Sequence, residues 1–77
     1  VEYKAINLST LEELAAKNNL TEVTFETLVQ AGFVSSKDKV KILGNGTITR
    51  ALAVKANAFS KTAEAAIVAA GGSIEKL

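Results

Sequence analysis

Three times in this 77-residue chain a β-prone stretch runs into a residue suited to cap a helix, and each time the helical pattern ends within about 7 to 10 residues. Helices of that length do not persist in water by themselves, since marginal stability needs ~12 to 15 residues. Each apolar stripe must therefore be covered by the short strands around it. The pattern predicts a single α+β domain over residues 1–77, with three short helices and successive strand-turn-helix units stacked on one another.

In the first unit, residues 1–8 read as a strand, with Val1, Tyr3 and Ala5 on one face and Ile6 and Leu8 on the other. Ser9 offers an N-cap with Glu12 as its capping-box partner, Leu11, Leu14 and Ala15 form the buried stripe, and the helix ends at Asn18 and Asn19. In the second, Thr24 is the N-cap, Val23 staples onto Leu28, Phe25, Leu28 and Val29 face inward, and Gly32 supplies a left-handed C-cap. In the third, residues 52–59 are strand-like, Ser60 caps, and Ala63, Ala66, Ile67 and Ala70 recur at helical spacing until Gly71 and Gly72. Residues 73–77 return as a closing strand. Between the second and third units, residues 40–43 and 47–49 flank Gly44, Asn45 and Gly46, a pattern that predicts a β-hairpin.

Composition limits the chemistry. Of the apolar residues, 48% of the chain, 13 are alanine, so a small set of larger side chains must supply the core. There is no Cys, which excludes a disulfide framework or a thiolate zinc site, and no His, which removes the commonest general base and metal ligand together. Neither a membrane span nor a signal peptide is legible, which places the chain in the cytoplasm as an expectation. Glu12 and Glu13 diverge by about 100° on their helix and make no acid/base pair. Gly44-Asn45-Gly46-Thr47 lacks the Gly-Lys-Ser/Thr ending of a phosphate-binding loop. The reading is therefore of a protein that is not an enzyme, with no cofactor, no metal and no small-molecule substrate.

The net charge of +1 conceals a dipolar layout. Residues 1–36 carry a balance of −3 and residues 37–61 a balance of +5, six cations against Asp38 alone. In a strand, Lys37, Lys39 and Lys41 share a face at a spacing of about 6.5 Å while Val40 and Ile42 point to the core. Lys55 and Asn57 share a face among small alanines, so a phosphodiester backbone has room to approach. Ser60 and Lys61 open the third helix, whose free N–H groups and dipole favour an anion. The residues by themselves leave two readings open: a polyanion-binding face, or a lysine-protected edge strand of a protein–protein interaction module. Nothing in either reading contacts bases, because Phe59 is the only aromatic residue near the lysines in sequence and belongs to the core.

The run from Lys41 to Gly72, KILGNGTITRALAVKANAFSKTAEAAIVAAGG, resembles the C-terminal globular part of the bacterial large-subunit ribosomal protein L-fifteen family, which shares its fold with the L-eighteen-e proteins. Lys41, Ile42, Leu43, Gly44 and Gly46, then Ile48, Leu52, Val54, Phe59, Ser60, Ala63, Ile67 and Gly71 carry the likeness. Upstream, Val23-Thr24, Ala31 to Val34 and Asn7-Leu8-Ser9 fit as well, so it covers essentially the whole chain. The resemblance implies an irregular stacked strand-strand-helix superhelix and a structural constituent of the large ribosomal subunit, on the ribosome, that binds large-subunit ribosomal RNA and meets neighbouring large-subunit proteins. It also implies a long Gly- and Arg/Lys-rich N-terminal extension, which is missing here, and a His in many relatives where this chain has Asn57. The contact set predicted is Lys37, Lys39, Lys41, Arg50, Lys55, Asn57, Ser60 and Lys61, neutralising and positioning phosphates.

Overall fold

Val40 and Ile42 are wholly buried while Lys39 is exposed and Lys41 half-buried, the alternation of a strand with one face in the core. A computed structural model describes residues 3–77; the face expected for Val1 lies outside them. The chain runs β1 (Tyr3–Asn7), α1 (Leu8–Asn18), β2 (Glu22–Val23), α2 (Phe25–Gln30), β3 (Lys39–Leu43), β4 (Ala53–Ala56), β5 (Ala58–Phe59), α3 (Lys61–Ala69) and β6 (Ser73–Lys76). The odd strands form one sheet in the order β1-β3-β5 and the even strands another in the order β2-β4-β6. Every pairing in both is parallel.

This topology is a coil of three turns. Each turn lays one strand in the first sheet and crosses to the second, and the first two turns then return. The first turn crosses by α1 and returns by α2, and the third crosses by α3. The middle turn crosses by an irregular segment, residues 44–52, and returns at the single residue Asn57. The stacked strand-strand-helix superhelix of three short helices and short strands is thus borne out. Between the layers lies one apolar cluster, with Leu8, Leu11, Val23, Leu28, Ile42, Leu52, Val54 and Ile67 almost wholly enclosed.

Several local signals hold. Thr24 caps α2, its hydroxyl accepting the Thr27 N–H at 3.2 Å, and Thr27 returns the bond to the Thr24 N–H at 3.2 Å. Gly32, in the left-handed region, ends that helix by donating to Val29 O at 3.0 Å while Phe33 donates to Leu28 O at 3.0 Å. Ser60 caps α3, accepting the Ala63 N–H at 3.1 Å. Asn19 ends α1 at φ 54°.

Three expectations are corrected. The predicted hairpin is absent: the Asn45 carbonyl accepts the Ser9 N–H at 3.2 Å, the Asn45 amide donates to Asn7 Oδ1 at 3.2 Å, and the chain continues between α1 and α3. Local turn chemistry yields here to parallel pairing with distant strands. The glycines remain necessary for a different reason, because a Cβ on Gly46 would lie 2.6 Å from Ser9 Cβ and one on Gly44 2.6 Å from Thr62 Cβ. They let a bare backbone pass between two helix N-termini. Second, α1 starts at Leu8 with Asn7 in the N-cap position and no side-chain cap, so the Ser9–Glu12 capping box does not form. The loop carbonyl of Asn45 meets the Ser9 N–H instead. Third, residues 52–59 are not one strand; the chain breaks at Asn57 and changes sheet.

Candidate nucleic-acid interface

In the first sheet, Tyr3 pairs with Lys39, Ala5 with Lys41, and Lys41 with Ala58. Residues in register share a face, so Tyr3, Ala5, Lys39, Lys41 and Ala58 all stand on the side opposite Ile6, Val40 and Ile42. The two lysines are about 6.5 Å apart along the strand, and their neighbours across it lie at ~4.8 Å. The result is a low floor of alanines carrying two cations and one aromatic ring. Sequence reasoning missed Tyr3, since only the parallel register sets residue 3 against residue 39.

Among the described residues, the outward side of this sheet carries no carboxylate. Asp38, the one anion of the basic block, is turned away into the preceding bend. Its Oδ2 accepts the Ser35 N–H at 2.8 Å, which holds the carboxyl below its ordinary pKa, with smaller help from the Ser35 hydroxyl and the charge of Lys4. Lys39 and Lys41 form no ion pair among the described residues.

The second sheet differs in sign. Glu22, Ala53 and Ser73 align across it, as do Lys55 and Glu75, on the side opposite Val23, Val54 and Ile74. Lys55 Nζ lies 3.6 Å from Glu22 Oε2 at the surface, a contact worth at most about 1 kcal/mol. Lys55 is therefore a cation between two carboxylates, on a different sheet from Lys39 and Lys41.

The other predicted positions are spread around the coil. Lys37 lies in the bend before β3 and Lys61 opens α3 just after β5, so they border the first sheet at opposite ends. Arg50 follows Thr49 on the middle crossing, beside Glu12 of α1. Asn57 is engaged by the fold, as Oδ1 accepts the Val40 N–H at 2.8 Å and its own N–H donates to Val40 O at 3.1 Å. The corner thereby extends the ladder that β5 takes up. Ser60 likewise uses its hydroxyl on Ala63 and its N–H on Ile42 O at 2.9 Å. Phe59 packs against the core.

Other chemistry finds little support among the described residues. No group of three or more His, Cys, Asp or Glu stands ready for a metal, and no helix is long and apolar enough to cross a membrane. The concavities are shallow, one being lined by Lys61, Glu64, Ala65 and Val68 on the surface of α3. Residues 5–75 match the family of "Ribosomal proteins 50S-L15, 50S-L18e" and their 60S-subunit counterpart, and the chain belongs to that family. It is 61% identical over 77 residues to a protein of Porphyromonas gingivalis named "Large ribosomal subunit protein uL15", covering 100% of this chain and 52% of that relative. It is 58% identical over 77 residues to the protein of the same name from Bacteroides thetaiotaomicron, with 100% and 52% covered. For the one from Amoebophilus asiaticus it is 53% identical over 72 residues, with 94% and 47% covered. The chain spans about half the length of the curated relatives it matches.

Proposed function

We propose that this chain is a non-catalytic structural part of the large ribosomal subunit, lying against large-subunit ribosomal RNA through phosphates seated on the outward face of the β1-β3-β5 sheet. Lys39 and Lys41 are the central contacts, with Lys37 and Lys61 at the borders. Asn57 and Ser60 shape the face from beneath, Arg50 serves the middle crossing, and Lys55 balances Glu22. The side bearing Glu22 and Glu75 turns toward solvent or neighbouring ribosomal proteins.

The observation that carries this reading is the partition of charge between the two sheets. Among the described residues, one outward face has lysines without carboxylates, and the other has its lysine between two. Relatives covering the whole chain are named as large-subunit ribosomal proteins, which supplies the class of polyanion. The adaptor reading required β3 at a sheet edge, and β3 is the central strand.

The test is a salt titration of binding to large-subunit ribosomal RNA. With about four to six phosphates neutralised, log K should fall against log[salt] with a slope of roughly −3 to −5. The Lys39→Glu/Lys41→Glu double variant should fold, since both substitutions are on the outward face, and should lose that binding. A folded double variant with unchanged affinity would contradict the proposal.

A further inference from the structure

We infer that Tyr3 is a stacking platform for one unpaired base of the RNA, with the adjoining phosphates taken by Lys39 and Lys41. This rests on the reading of the first sheet as the RNA-facing side and adds a preference for single-stranded RNA to it.

Tyr3 is 46% exposed and in register with Lys39 on the same face. It is absent from the apolar core cluster, and its hydroxyl makes no hydrogen bond among the described residues. Among the described residues the core cluster and the hydrogen bonds therefore leave the ring and its hydroxyl to the surface. Among the described residues, the other exposed large apolar side chains, Phe33, Val68 and Leu77, lie outside the β1-β3-β5 sheet, in a bend, in α3 and after β6. β1 is an outer strand of its sheet, so among the described residues no further strand pairs beyond the ring on one side. On the other side Tyr3 stands next to Lys39, and the next row along the strands, Ala5, Lys41 and Ala58, carries a long side chain only at the lysine.

Single-stranded RNA is recognised by this combination of an aromatic face for the base and cations for the backbone, whereas a duplex hides its base faces within the stack. Stacking is tolerant of base identity, so the site would select unpaired structure rather than a particular letter. Charge complementarity favours RNA over a protein partner on this face, because a protein would need its own acidic patch opposite two lysines that form no ion pair among the described residues.

The chain carries one Tyr and no Trp, so its intrinsic fluorescence reports this ring alone. Adding a short single-stranded oligouridylate should quench that emission, while inorganic polyphosphate, a polyanion with no bases, should bind without comparable quenching. Tyr3→Leu should weaken oligouridylate binding about 5- to 100-fold, Tyr3→Phe should keep it, and the salt slope should stay the same in all three, since no phosphate contact is removed. Equal affinity of the wild type and Tyr3→Leu, or equal quenching by polyphosphate, would overturn the stack. If Lys39→Glu/Lys41→Glu still abolishes binding in that case, the phosphate reading stands without it. Failure of the wild type to bind either polymer would overturn both.

Discussion

The carboxylate of Glu12, on α1, holds Thr49, 37 residues further along, by two bonds: Oε1 accepts the Thr49 N–H at 3.1 Å and Oε2 accepts its hydroxyl. The irregular crossing of the middle turn is thereby fastened to the helix of the first turn. With Ser9 donating to Asn45, the segment that replaces a helix is tied down by α1 along its length.

That clamp depends on ionisation. Donation by the Thr49 hydroxyl, then by the Thr49 N–H, holds the Glu12 carboxyl below its ordinary pKa, outweighing the desolvation that acts the other way. A group lowered on folding contributes stability above its unfolded value and loses it as pH falls through the folded one. Thermal unfolding of the wild type and Glu12→Gln should therefore differ at neutral pH, with the wild type melting higher, and converge on acidification. Parallel curves across the acid range would contradict the clamp.

Adjacent glycines at the end of α3 should respond differently to the same change. Gly71 has φ +89° and open space, with only Ala51 Cβ at 3.5 Å from an added methyl, so Gly71→Ala should cost about 1 to 2 kcal/mol of backbone strain. A methyl on Gly72 would collide with the Leu52 carbonyl oxygen and lie 2.9 Å from its nitrogen. Gly72→Ala should cost about 3 kcal/mol or more, read as a fall in the urea midpoint.

Leu52 is wholly buried where the middle crossing meets β4, so Leu52→Ala should cost about 2 to 5 kcal/mol and unfold much of so small a domain. A cooperative melt close to wild type would show that this side chain does not fill the core.

Asn57→Ala removes the acceptor of the Val40 N–H and should cost about 1 to 3 kcal/mol by leaving that donor unmet. RNA affinity, measured where the variant is fully folded, should change little. A large loss of affinity in a variant that melts like the wild type would make Asn57 a contact instead of a corner.

What was legible in the sequence was local. Caps at Thr24 and Ser60, the Gly32 terminator, the buried Leu11, Leu14 and Ala15, and the alternation through Val40 and Ile42 each depend on residues within a turn or a strand of one another. The misses share a cause. Asn45-Gly46 has the chemistry of a hairpin, Ser9 that of a cap, and residues 52–59 that of one strand, yet in each case partners remote in sequence claimed the backbone groups. Parallel strands pair only through long crossovers, so no short window reveals them. The same limit hid Tyr3 from Lys39 and the separation of Lys55 from Lys41, which decides which cations share a surface.

The most direct test of the central claim compares neutralised lysines on the two sheets by the salt slope of binding to large-subunit ribosomal RNA. Lys39→Gln/Lys41→Gln should make the slope shallower by about 1.4 to 1.8, two phosphate contacts' worth, while Lys55→Gln leaves it unchanged. Equal flattening by the Lys55 variant, or none by the Lys39/Lys41 pair, would contradict the assignment of RNA to the β1-β3-β5 face.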